Sequence, residues 1–411
     1  MTTEDRMTTI ASDPELDALR TVIASGLPAY LADLEQLVNI DCGSYTPLGV
    51  NQVGVWTGRF LERLGASVEY RPDPEGRCGD TVVATFDGRA GAPRVLLIGH
   101  MDTVFEPGTV AARPFRIEDG VAYGPGVTDM KSGLLAGLYA LKALVGELGG
   151  VPFERLTFIA NPDEEIGSPS STAHIRAAAL NVDACFVLEC ARANGDIVSA
   201  RKGILDTRIT VEGRAAHAGV EPEKGRSAIL EASRIVRELH ALNGRWPGVT
   251  VNVGVIAGGT RPNVVAERCH LDVDVRSTTS DGLDTVEAAM RQIAAATEVP
   301  DTIADVQVMV GWRPMEKLAR SGRLVEHAHT VAGRLGFTVR DVATGGASDA
   351  NTTSGMGVPS LDGLGPIGGN DHAPAEYLDV DSIVPRTTLL AGLLLAVARD
   401  PQVLGWREGP G

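Results

Sequence analysis

Val95-Leu96-Leu97-Ile98-Gly99-His100-Met101-Asp102-Thr103-Val104 is an apolar run of strand type that ends abruptly in a His and an Asp two residues apart. Side chains at i and i+2 of an extended segment project to the same side, so His100 and Asp102 are placed to touch. A carboxylate beside an imidazole is the arrangement that fixes the tautomer of a metal-ligating His. Taken alone, the pair also fits a strand running into an Asp turn. The other strand ends decide between the two.

The pattern recurs along the chain. The apolar run 156–160 stops at Asn161-Pro162-Asp163-Glu164-Glu165, and the run 184–188 stops at Glu189. Asp129 follows Gly124-Pro125-Gly126 and opens a helix expected over 129–148. In open α/β sheets ligands bind beyond the carboxyl ends of the strands, so these clusters converge on one crevice if the strands are neighbours. One His among several carboxylates is a nitrogen and oxygen donor set suited to Zn²⁺ or a comparable divalent ion. Glu164 and Glu165 diverge as neighbours, so one is free to ligate while the other faces a water as general base.

Working outward, strands are expected at 67–71, 81–86, 95–98, 114–117 and 121–123, and helices at 14–39, 53–64 and 170–179. Residues 1–12 are polar and read as frayed. Strands alternating with helices imply an α/β domain with a mostly parallel sheet and helices on both faces. From about residue 204 the order becomes strand 204–211, helix 227–242, strands 250–256 and 267–276, helix 284–297 and strand 304–310. That β-α-β-β-α-β order is a ferredoxin-like unit. The simplest organisation inserts residues 204–314 as an α+β domain into a discontinuous one made of 1–203 and 315–411, closed by a helix at 384–398.

A net charge of −16 without a basic block excludes a nucleic-acid or anionic-membrane surface as the main partner. The five Cys (42, 78, 185, 190 and 269) form no CxxC and read as reduced, buried thiols. With no basic and apolar leader at Met1-Thr2-Thr3-Glu4, a soluble cytoplasmic protein is expected.

Gly99-His100-Met101-Asp102-Thr103-Val104, Gly124-Pro125-Gly126-Val127-Thr128-Asp129-Met130-Lys131, Asp163-Glu164-Glu165-Ile166-Gly167 and His217-Ala218-Gly219 together resemble the dizinc metallopeptidases. That family includes acetylornithine deacetylase, succinyl-diaminopimelate desuccinylase, aminoacylase and glutamate carboxypeptidase. The likeness extends from about residue 30 to 400 and is strongest to the bacterial glutamate carboxypeptidases, through Pro114-Phe115-Arg116, Tyr123-Gly124-Pro125-Gly126 and Ala375-Glu376-Tyr377 after His372. It implies a zinc-peptidase-like catalytic domain and an inserted lid that also dimerises.

Residue by residue, the resemblance implies two Zn²⁺ per subunit, with Co²⁺ or Mn²⁺ as substitutes. His100, Asp129 and Glu189 would hold one, Asp129, Glu165 and His372 the other, with Asp129 bridging. Glu164 would be the general base acting on a water held between the metals, and Asp102 would orient His100. His217 would donate to the oxyanion, with Asn263, Arg276, Lys202 and the Gly346 segment contacting substrate. Three departures stand out: Met130 where a second Asp is frequent, Cys190 where Pro is frequent, and Asn370-Asp371 before His372. His174, His240, His270, His327 and His329 match nothing and read as surface or packing residues.

The activity implied is hydrolysis of an amide bond that releases a C-terminal amino acid, glutamate-like and acidic, from a small peptide or N-acyl substrate. Two rivals stand beside it: an N-acetyl or N-succinyl amino-acid deacylase on the same machinery, and a ligand-binding homologue without catalysis. A homodimer through the lid is the implied assembly.

Overall fold

Arg94–His100 lies between two parallel neighbours, and this fixes the architecture around it. The computed structural model describes residues 13–409; the segment 1–12 lies outside the described residues. In the main sheet the strand order is Ser67–Arg71, Thr81–Asp87, Arg155–Asn161, Arg94–His100, Ala184–Val187 and Ser360–Leu361. The last four run parallel, while Thr81–Asp87 pairs antiparallel with Arg155–Asn161 and Ser67–Arg71 antiparallel with Thr81–Asp87. Residues Val95 to His100 are all buried, so both faces of this strand are covered, as a central parallel strand requires.

The chain divides into two units. One runs to Ser199 and resumes over Lys317–Ala343 and from Ser348 onward; the other comprises Ala200–Glu316 and Thr344–Ala347. The second unit thus takes a short segment that the sequence placed with 315–411. The reason is local: Thr344 O accepts the Lys202 N–H and Gly346 O accepts from Arg201 Nη1.

In the first unit the core is built from aliphatic side chains of the sheet and of the helices Ser132–Leu148, Ile383–Arg399 and Pro14–Ser25. The stretch Val380–Arg399 is apolar and long enough to span a bilayer, yet 72 % of its most apolar window is buried, which makes it a core helix. The helix expected over 14–39 is two helices, Pro14–Ser25 and Leu27–Val38. Pro28 lacks an N–H and is tolerated only in a first turn, so it opens the second helix and ends the first. The helix expected at 53–64 begins earlier, at Pro47, for the same first-turn reason.

The second unit contains a four-stranded antiparallel sheet in the order Thr250–Gly258, Arg268–Ser277, Gly203–Glu212, Ile303–Trp312. Ala228–His240 and Ser280–Ala295 cover one face, burying Ala232, Ile235, Leu239, Leu283, Val286 and Met290 against the alternate residues of the strands. Strand order and helix placement are those of the ferredoxin-like unit read from the sequence.

Candidate metal centre

Register brings the functional residues together. His100 lies opposite Asn161, and Ile98 opposite both Ile159 and Val187. The carboxyl ends of three adjacent strands are therefore level, and the next residues of each, Met101-Asp102, Asp163-Glu164-Glu165 and Leu188-Glu189, leave the sheet at one edge. Leu188 N donates to Ile98 O and Met101 N to Asn161 O, which holds the ends in line. The helix Ser132–Leu148 closes over this edge through glycine. A Cβ at Gly133 would stand 1.8 Å from Leu188 O, so only hydrogen permits the approach.

Asp129 does not sit in that helix, contrary to the expectation from sequence. The helix begins at Ser132, and Asp129 has extended backbone (φ −113°, ψ 94°) after a turn at Gly126. The polar Gly-Val-Thr-Asp stretch gives way to helix only where the Ala- and Leu-rich run starts. Freed from the helix, the Asp129 carboxylate faces two imidazoles: Oδ1 lies 3.1 Å from His100 Nε2 and Oδ2 lies 3.2 Å from His372 Nε2.

Around this carboxylate the other groups collect. His100 Nε2 is 3.7 Å from Glu189 Oε1, and His372 Nε2 is 3.0 Å from Glu165 Oε2. The ligand atoms of His100, Asp129 and Glu165 lie within 4.8 Å of one another, and so do those of His100, Glu164 and Glu189. Glu164 therefore stands within reach of the same centre as its neighbour. His100 Nδ1 faces Asp102, 3.1 Å from its carbonyl and 3.3 Å from Oδ1, which leaves Nε2 for the centre.

Asp102 does more than face the ring. It is fully buried, and it accepts Ser44 Oγ at 2.6 Å and the backbone N–H groups of Glu164 and Glu165 at 3.2 Å each. Beneath, Asp163 takes the hydroxyls of Ser170 and Ser171, and Asp349 takes Ser168 Oγ and Asn161 Nδ2. Ser44 was not singled out from the sequence as a site residue, and Asp349 only as the last residue of the Gly-rich segment around Gly346. Met130, a departure from the family pattern, points its sulfur at the His100 backbone N–H, 3.2 Å away. Cys190, another, is buried beside the Asp371 carboxylate at 3.9–4.0 Å.

The electrostatics follow from crowding. Burial pushes the Glu164 carboxyl well above the usual carboxylate range, with the neighbouring Glu189, Asp349 and Glu165 adding to the rise against the pull of His100. Burial likewise raises Glu165, against its bond to His372. Burial alone would lower His100, but Asp102, Asp129 and Glu189 more than offset it and hold the ring well above its ordinary value. Bonds to Asp129 and Glu165 hold His372 up at about 10. Carboxylates and imidazoles that retain protons against one another are a site in which divalent cations can take the protons' place. Two imidazole nitrogens, a carboxylate with one oxygen toward each, and further carboxylates on both sides fit two cations of the Zn²⁺ class.

The remaining residues singled out from the sequence belong to the second unit. His217 forms an isolated bridge with Val264, and the carbonyl of Asn263 accepts the N–H of Ala218, so these two loops are paired. Arg276 is half-buried on its strand and ion-paired with Asp274 at 2.7 Å. Gly346 accepts from Arg201, the neighbour of Lys202. All five cysteines are free and buried.

Comparison with known proteins agrees with this geometry. The profile of Peptidase family M20/M25/M40 matches residues 96–396. Carboxypeptidase G2 of Pseudomonas sp. (strain RS-16) is 32% identical over 376 residues, covering 90% of this chain and 89% of the relative. Succinyl-diaminopimelate desuccinylase of Dechloromonas aromatica is 30% identical over 374 residues, covering 86% and 95%. The crystal structure of aminopeptidase PepT from Bacillus cereus superposes with a TM-score of 0.74 at 25% identity, covering 91% of this chain and 99% of that one.

Proposed function

This chain belongs to Peptidase family M20/M25/M40, a family of hydrolases, and from that premise we propose that it cleaves an amide bond to release a C-terminal, glutamate-like amino acid. The observation that carries the reading is Asp129, whose two oxygens face His100 and His372, with the Glu164 carboxylate standing at the same centre. Release of a C-terminal residue is supported by the likeness to carboxypeptidase G2, and the acidic preference by the positive charge that Arg201, Lys202, Arg261 and Arg276 bring to an otherwise acidic chain.

In the proposed reaction His100, Asp129 and Glu189 would hold one Zn²⁺ and Asp129, Glu165 and His372 would hold a second. Two such ions polarise a carbonyl oxygen and lower the pKa of water when bound. Glu164 takes the proton from the attacking water, whose oxygen bonds to the carbonyl carbon. The C–N bond then breaks, and Glu164 hands its proton to the leaving amine nitrogen. Asp102 holds the ring of His100 and the backbone of Glu164 and Glu165 in place during these transfers. His217 serves as oxyanion donor, Asn263 and Arg276 grip the terminal carboxylate, where Arg offers two parallel hydrogen bonds, and Lys202 and the Gly346 segment contact the substrate.

The test is hydrolysis of a panel of N-acyl-glutamates, N-acetyl- and N-succinyl-amino acids and dipeptides by Zn²⁺-loaded protein. Preference for a released C-terminal glutamate supports the reading. Preference set by the acetyl or succinyl group instead supports the deacylase reading, which the likeness to succinyl-diaminopimelate desuccinylase favours. The assembly proposed is a homodimer through the second unit, supported by its exposed edge strand, where Val255 and Ile256 are 45% and 51% exposed. A monomeric mass at micromolar concentration would refute it.

A further inference from the structure

We infer that Glu376 is a positioning residue that sets Asp129 against His372, and that cation binding on the His372 side depends on it. The inference rests on the two-cation reading above. It begins with strand register. Val121–Tyr123 and Tyr377–Asp379 are antiparallel, with Tyr377 opposite Tyr123. The residue before Tyr377 therefore stands beside the chain that leaves Tyr123, which is the loop leading to Asp129.

Glu376 occupies that place, 1% exposed, and uses its whole carboxylate on the loop. Oε2 accepts the N–H of Gly126 at 2.9 Å, and Oε1 accepts those of Thr128 at 2.9 Å and Asp129 at 3.1 Å. The loop has little room to settle elsewhere. A Cβ at Gly126 would meet Thr103 Cγ2 at 2.5 Å, and one at Gly368 would meet Thr128 Oγ1 at 2.0 Å.

The same segment carries His372. Ala373 N donates to Asn370 O, Glu376 N to Ala373 O and Asn370 Nδ2 to Ala375 O, so 370–376 is knit into one turn. Glu376 thus links the backbone under His372 to the backbone under Asp129, and their side chains meet 3.2 Å apart. His100 is held differently: its side chain is 1% exposed and braced by Asp102. The His372 side chain is 55% exposed, with Asp129 and Glu165 as its ion-pair partners. Loss of the Glu376 clamp therefore loosens the His372 side more than the His100 side.

The experiment is equilibrium dialysis against Zn²⁺ with metal analysis, on wild type, Glu376→Ala and Glu376→Gln, with circular dichroism as the check of folding. Wild type is expected to bind two equivalents. Glu376→Ala is expected to keep one and to weaken the second by about 10–100-fold, the range for a lost partner of a ligand. Glu376→Gln falls between, because its amide oxygen can take the Thr128 and Asp129 N–H groups while its NH₂ faces that of Gly126. Folded variants that bind both equivalents with wild-type affinity, or that lose both in parallel, overturn the inference. If the Ala variant does not fold, an unchanged second affinity in the Gln variant overturns it. Fewer than two equivalents in wild type overturns the two-cation reading and this inference with it.

Discussion

Asp102 Oδ1 accepts the backbone N–H of Glu164 at 3.2 Å while facing His100 Nδ1 at 3.3 Å. One buried carboxylate therefore orients both a candidate ligand and the candidate base. Asp102→Ala should lower Zn²⁺ affinity by about 10–100-fold and reduce kcat as well, because both the ring and the Glu164–Glu165 backbone lose their anchor. Ser44→Ala removes only one of the donors and should cost about 0.5–1.5 kcal/mol of stability. Dialysis and steady-state kinetics compare the two variants and urea unfolding reads the stability loss; equal effects on affinity and kcat would contradict it.

Removal of metal should destabilise the first unit. A ligand that binds only the folded state at 100 times its Kd contributes about 2.7 kcal/mol. Treatment with a chelator should therefore lower the Tm by several degrees, and Zn²⁺ or Co²⁺ should restore it. Calorimetry on protein shown by metal analysis to be stripped makes the check. An unchanged Tm would count against the cation site.

The second unit has its own vulnerable point. Glu231, 1% exposed, pairs with Arg234 at 2.6 Å and accepts the N–H groups of Glu298 and Val299 through its other oxygen. Glu231→Ala strips the Glu298 and Val299 N–H groups of their acceptor and takes from Arg234 one of its two carboxylate partners, Glu238 at 2.8 Å remaining, and should cost about 1–3 kcal/mol. Glu231→Gln should cost less, since its amide oxygen still accepts. Urea unfolding of both variants decides; a loss below 1 kcal/mol for the Ala variant would contradict the assignment.

The strand ends were legible in the sequence because apolar runs stopped at His100, Asn161 and Glu189, and burial on both faces gives such runs no alternative. Asp129 was harder. Its place before a helical run made it look like a first-turn acid, and only the packed loop reveals extended backbone there. The Gly-rich passage 344–369 hid the helix Asp349–Gly355, since Asp-Ala-Asn-Thr-Thr-Ser-Gly has no apolar period and weak helix formers. That helix is held by tertiary burial and by a capping box between Ser348 and Asn351. Glu376 was visible as a motif residue, but its three backbone donors lie some 250 residues away.

The most direct measurement is turnover of an N-acyl-glutamate by Glu164→Gln with its metal content determined on the same sample. Two equivalents of Zn²⁺, as in wild type, are expected, with a kcat lower by about 10²–10⁴-fold, the contribution of a positioned general base. A metal-loaded Glu164→Gln that turns over at the wild-type rate would contradict it.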